Sequence, residues 1–278
     1  MEVSVQFHRL LTVALCVGLG VGCSTGPTIL SYEEFQAQAY REPETGLRIL
    51  DGDQLVETDA AMAALYDSYL DSIADAADRA AGLATVQQGL AINLVNGQDD
   101  KWPATTAANL TYCISSSSFG SRYNTVVSAI GAAIADWENA TANRVQYVHA
   151  AAQDADCTSR NTGVVFNVRQ VTSSQYLARS FFPSSARKDR EILVSTSAFG
   201  NIWPWTLTGV FRHEFGHTLG FRHEHTRPEA GTCFEDNSWR ALTAYDAASV
   251  MHYPRCNGTQ AGDLVLTSLD RSGAASVY

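Results

Sequence analysis

The 278-residue chain is 45% hydrophobic and 17% charged, a globular balance that excludes a disordered chain. Its formal net charge of −10 excludes nucleic acid as the main partner, because phosphate contacts need a basic surface. No run reaches the roughly 18–20 apolar residues of a membrane-spanning helix.

At the N-terminus, residues 10–22 form an apolar run behind His8 and Arg9, the length of a signal-peptide core. The run ends in "GLGVGCS". Small residues ahead of Cys23 resemble a bacterial lipoprotein signal, in which that cysteine becomes the lipidated first residue. An ordinary cleaved signal over residues 1–22 stays open, because Gly20 stands where an aliphatic residue is usual. Both readings predict export, either anchored in the cell envelope or secreted after processing. Any membrane contact is expected through the N-terminal lipid alone.

Residues 23–98 carry most of the net negative charge. From 24 to 98 there are 12 acidic and 3 basic side chains, against 16 and 15 from 99 to 278. The main element of this segment is a helix over 60–81, where Met62, Tyr66, Tyr69, Leu70 and Ile73 recur at helical spacing and Gly82 offers a stop. That face reads as packing surface. The charge step places a boundary at 98/99.

Beyond it, "LTYCIS" (110–115) reads as a strand, and residues 122–140 as a helix with Val127, Ile130, Ile134 and Trp137 on one face. "RVQYVHA", "GVVFNVRQV" and "REILVSTSAF" read as further strands, and a helix over 207–219 comes after them. Strands mixed with long helices, without strict alternation, predict an α+β domain. Cys113, Cys157, Cys233 and Cys256 are an even set in an exported chain, which predicts two disulfides. Of three connectivities, Cys113–Cys157 with Cys233–Cys256 is favoured because each pair closes a local loop. No CxxC pair suggests a thiolate zinc site.

The last helix carries "RHEFGHTLGFRHEH". His213 and His217, four apart, share one helix face about 5–6 Å apart at Cβ, which suits two ligands of one tetrahedral ion. Glu214 is placed to take a proton from an attacking water. Gly220 can end the helix with a positive φ and return His223 as a third ligand. Three neutral nitrogens with one open position describe a catalytic zinc site holding a single ion. Arg222 and His225 fall outside the ligand spacing and are expected at the surface or behind the ligands. No repeat or loop signature for structural calcium is present.

HExxHxxGxxH over 213–223 resembles the metzincin clan of zinc endopeptidases, which also carry a methionine turn after the third histidine. "SVMHYP" supplies Met251 for that turn. "GFRHEHTRP" with "SVMHY" is similar to astacins. Glu224 and Arg227 match the astacin HExxR continuation, whereas Glu229 and Ala230 depart from the astacin pattern past that point. The block "TCFEDNSWRALTAYDAASVMHYPRCNG" looks closer to the bacterial dual-action HEIGH metallopeptidases, with Phe215 replacing isoleucine.

The resemblance covers 99–278 and implies a metzincin fold: a twisted, mostly parallel sheet with an antiparallel edge strand above the cleft, an active-site helix, and a C-terminal subdomain. Residues 191–199 are the candidate edge strand, which would pair with an extended polypeptide substrate. The resemblance implies that Met251 floors the zinc and that Tyr253 can swing toward the transition state. It also implies hydrolysis of internal peptide bonds by a monomer, with residues 23–98 as a pro-region keeping the enzyme latent. "LRILDGDQL" is similar to the astacin FxGD segment, so Asp53 is the candidate zinc cap; an exposed DG turn is the other reading. Two rival functions stay open. One is a non-catalytic envelope lipoprotein binding through a zincin scaffold. The other is a zinc amidohydrolase acting on a non-peptide substrate.

Overall fold

The computed structural model describes residues 29–50, 54–80, 90–233 and 235–278. The expected signal at 1–22, Cys23, Asp53 and Gly82 lie outside the described residues.

The N-terminal segment opens with helix α1 (Tyr32–Ala37), capped by Ser31 and Glu34 in a reciprocal capping box. Next comes a small antiparallel sheet, built from β1 (Tyr40–Arg41), β2 (Arg48–Leu50) and β3 (Gln54–Val56). Helix α2 (Asp59–Ala80) then lays Met62, Leu65, Tyr66 and Tyr69 against Phe35, Leu50 and Val56. Its apolar face is packing surface, as its spacing predicts.

Strand β4 (Ala91–Val95) turns back as β5 (Gln98–Asp99), a hairpin that spans the boundary expected at 98/99. Leu90 packs in the main core, so residues 90–98 belong structurally with the C-terminal unit. A short helix α3 (Ala104–Ala107) leads to β6 (Leu110–Ile114), helix α4 (Ser116–Phe119) and the long helix α5 (Tyr123–Ala140). Strands β7 (Tyr147–His149), β8 (Phe166–Val171), β9 (Ala178–Arg179) and β10 (Glu191–Ser195) complete a five-stranded sheet in the order β7-β6-β8-β10-β9. Helix α6 (Leu207–Thr218), strand β11 (Trp239–Ala241), paired to β4, and helix α7 (Ser268–Val277) finish the chain. This is a mixed α+β fold with a sheet and a helix that carries His213 and His217, as expected.

Four strands of the large sheet run parallel and β9 alone is antiparallel to its neighbour. The expected edge strand over 191–199 is therefore corrected. Glu191–Ser195 is an interior strand between β8 and β9, and residues 196–199 form a turn of 3₁₀ helix. Every residue of β10 is buried, and the unbroken Ile192-Leu193-Val194 run is the pattern of a strand covered on both faces. The edge is β9, whose two residues are too few to show a period of two.

Phe166, Val168, Ile192 and Val194 point from the sheet into the main core with α5 and α6, where Trp137 stacks on Phe221 and Tyr147 meets Phe215 edge-on. The opposite face carries two further groups. Val171, Tyr176 and Leu193 pack with Tyr40 of the N-terminal segment, and Cys113 packs with Cys157. The disulfides join Cys113 to Cys157 and Cys233 to Cys256, the two local pairings.

Candidate metal centre

Helix α6 starts where the Thr206 side chain accepts a hydrogen bond from Gly209 N at 3.0 Å. It ends in a Schellman turn: Phe221 N bonds Gly216 O and Gly220 N bonds His217 O. Gly220 adopts φ +92°, and a Cβ there would lie 2.0 Å from the Asp100 carbonyl oxygen. Two constraints thus require glycine, the left-handed turn and the close backbone approach. Strand β4 fastens the outgoing chain, with Asn93 N donating to Gly220 O and Arg222 N to Ala91 O. The turn delivers His223 beside the helix.

His213, His217 and His223 are all buried and form one cluster of potential metal ligands. The Nε2 atom of His213 lies 3.2 Å from that of His217 and 3.2 Å from that of His223. Three nitrogens at about 2.0–2.1 Å from one tetrahedral zinc ion would stand about 3.4 Å apart, so the cluster fits the ion. The other ring nitrogen of each histidine faces an acceptor. His213 Nδ1 donates to Val250 O and His217 Nδ1 to Phe221 O, both at 2.8 Å, and His223 Nδ1 donates to a Glu235 carboxylate oxygen. With Nδ1 protonated, each Nε2 carries the lone pair that a metal ligand needs.

Glu235 is itself fixed. Arg222, fully buried, donates to Glu235 Oε2 at 2.7 Å and to Asp236 Oδ1 at 2.8 Å. His225 is also fully buried; its Nδ1 accepts from Tyr253 N at 3.3 Å, and burial pulls its pKa down to about 3. A second group of close ligand atoms, His223, His225 and Glu235, shares His223 with the first. Because His223 Nδ1 gives its proton to Glu235, this group supports the ligand. Both Arg222 and His225 therefore stand behind the ligands, away from the surface.

Met251 is fully buried and packs against α6 at Gly216. A Cβ on Gly216 would come within 2.4 Å of the methionine sulfur, so the glycine between Glu214 and His217 makes room for it. The turn carrying Met251 is tied to the C-terminal helix through one carboxylate. Asp270 accepts from Ser249 Oγ at 2.6 Å and Val250 N at 2.9 Å while capping α7 with Thr267. Glu224 donates its backbone N–H to Met251 O at 2.8 Å. Its side chain accepts from Arg227 Nη1 at 2.9 Å; burial nevertheless raises the Glu224 carboxyl to about 8.

Tyr253 packs over the ligands, its ring 4.5 Å from that of His223 and 5.4 Å from that of His213. Glu214 is buried on α6 beside His213. The fold thus brings His213, Glu214, His217, Gly220, His223, Met251 and Tyr253 into one region. Glu235, Asp236 and Asp270 were not singled out in the sequence. For Asp270 a T-x-x-D capping box is written in the sequence, but its bond to the Met251 turn is long-range.

One wall of the centre comes from the residues after β9. Ser180, Phe181 and Phe182 line a cavity with His217, Arg222, His223 and Glu235, and Leu55 of β3 lines it as well. The N-terminal segment is anchored nearby by a buried ion pair. Arg179 of β9 donates to Glu42 at 2.6 and 3.2 Å, and Tyr176 donates to the same carboxylate. Arg169 lies 3.6 Å from Glu44.

The profile of the matrixin family of peptidases matches residues 101–230, a little under half of the chain. That range holds the three histidines and Glu214 and supports a zinc-dependent metallopeptidase of metzincin type. Among curated proteins none matches. Among solved structures, the chain is similar to high choriolytic enzyme 1, a hatching enzyme zinc-protease from the medaka fish Oryzias latipes. The identity is 20%, over 55% of this chain and 73% of that one, with a TM-score of 0.34.

Proposed function

We propose that the protein is a zinc-dependent endopeptidase made as a latent, exported precursor. The observation that carries this reading is the convergence of three Nε2 atoms, with His213 3.2 Å from each of the other two and every Nδ1 already engaged. Zinc held by His213, His217 and His223 would supply Lewis acidity toward the scissile carbonyl and lower the pKa of water from 15.7 toward about 7. Glu214 takes the proton of the attacking water and passes it to the leaving amine. Tyr253 donates a hydrogen bond to the developing oxyanion, a contribution of about 3 kcal/mol where such donors have been removed. Met251 keeps the floor apolar. Once the N-terminal segment is cut away, the outer side of β9 pairs with an extended polypeptide.

Latency is supported by the position of Leu55 in the cavity and by the Glu42–Arg179 anchor. The two disulfides favour an oxidising compartment, in keeping with export. If Cys23 carries a lipid, cutting the N-terminal segment releases a soluble enzyme. The block 232–258 favours kinship with the bacterial HEIGH group.

Incubation with unfolded casein tests the reading, after limited proteolysis of the N-terminal segment. Internal cleavage should appear, vanish with chelator and return with zinc. A processed, zinc-loaded protein that leaves casein intact would overturn it and favour the non-peptide amidohydrolase or the binding lipoprotein.

A further inference from the structure

The three histidines do not have equivalent support. His213 and His217 donate Nδ1–H to the backbone carbonyls of Val250 and Phe221, at 2.8 Å each. Among the described residues, His223 is the ligand whose Nδ1 donates to a carboxylate. That carboxylate is almost fully buried and divides its oxygens: Oε1 faces the imidazole and Oε2 faces Arg222 at 2.7 Å.

We infer, resting on the zinc reading above, that Glu235 is the positioning residue for the third zinc ligand. By accepting the Nδ1 proton it holds His223 in the tautomer that presents Nε2. It also places a buried negative charge one imidazole away from the metal.

The charges around it support this assignment. Arg222 bonds both Glu235 and Asp236, so one cation meets two carboxylates, an excess of one negative charge among these three groups. A buried excess of negative charge beside the third ligand favours a cation at its Nε2. A carboxylate serving Arg222 alone would not need to turn an oxygen to the imidazole.

The geometry is held from both sides in sequence. The Cys233–Cys256 disulfide fixes the chain two residues before Glu235, and its far end lies three residues beyond Tyr253. On the other side Leu94 N donates to Ser238 O, joining the loop to β4. His223 stands on a loop without the helix that orients the first two ligands, so it has the greatest need of such a brace.

The test is zinc affinity of the full-length chain, measured by competition with a chromogenic chelator, with the visible spectrum of the cobalt form as a second readout. Glu235→Ala should weaken zinc about 10–100-fold. Glu235→Gln keeps an oxygen acceptor and loses the charge, so it should weaken zinc less, and the cobalt bands should shift in both variants. Glu191→Gln, at a buried carboxylate bonded to Arg169 outside the centre, is the control; it should lower the melting temperature and leave zinc affinity alone. Variants at 235 binding zinc within about twofold of the parent, well short of the loss expected when such a support is removed, would overturn the assignment, as would an equal loss in the control. Should Glu235→Ala fail to fold, Glu235→Gln decides by the same criterion. A parent chain that binds no zinc defeats the zinc reading itself, and the inference with it.

Discussion

The segment 29–80 and the unit 90–278 are held together in different ways. The larger unit interlocks Tyr112, Tyr147, Phe166 and Phe215 in one core and carries both disulfides. Among the described residues, the segment's own cluster buries Phe35, Leu50, Val56 and Met62. Such a small core does little against the entropy of ordering the chain around it. Its deepest polar contacts, Glu42 with Arg179 and Tyr176, belong half to its neighbour. One region carries its own fold, and the other depends on the surface it covers.

The sharpest way to break this division is Glu214→Gln. Turnover of casein by the processed enzyme should fall about 10²–10⁴-fold, with zinc content and melting temperature unchanged. Retained turnover would move the chemistry elsewhere. Next in size is Arg179→Met, which leaves Glu42 buried without its cation. Removing one partner of a buried pair costs about 3–5 kcal/mol, so amides of 29–80 should lose hydrogen-exchange protection while those of β8 and β10 keep theirs. Equal loss in both regions would show one cooperative unit.

Gly220→Ala acts inside the larger unit alone. Its φ of +92° and the 2.0 Å approach to Asp100 O should cost about 1–3 kcal/mol, seen as a lower melting temperature and weaker zinc binding. The smallest expected effect is that of pH. Burial pushes the Glu42 carboxyl up, but Arg179 with the Thr45 and Tyr176 hydroxyls outweighs it and holds the group below its ordinary 4.5. A depressed carboxyl contributes docking strength above that value and loses it as pH falls through the folded-state pKa. Glu57 works the other way, since burial and Asp189 raise its carboxyl and its protonation favours docking as pH falls. Protease sensitivity of 29–80 should therefore rise only below about pH 4.5, and a rise at higher pH would point to another latch.

Much of the centre was legible in the sequence because its constraints are local. The spacing of His213, His217, Gly220 and His223 is fixed by helix pitch and by one left-handed turn. The 98/99 boundary and the edge strand were harder. Charge changes at 99, but the hairpin that fastens Gly220 and Arg222 begins at Ala91, and pairing across more than a hundred residues leaves no periodic trace. Ile192-Leu193-Val194 marks a strand covered on both faces, a signal available from composition alone, whereas β9 is too short to announce itself. Glu235 and the grip of Asp270 on the Met251 turn were invisible for a different reason: a carboxylate looks alike in sequence whether it meets solvent or a distant part of the chain.

Asp270, whose carboxylate caps α7 and grips the Met251 turn, has a consequence for the timing of assembly. A chain made from its N-terminus presents Glu42 and Leu55 first, the three histidines much later, and Asp270 after all of them. The cover exists before the thing it covers, and the last support of the floor arrives when the cover has long been waiting. Under the latency proposed above, no stage of synthesis would offer a finished and open centre, and the order of translation would itself shield the cell that makes the protein.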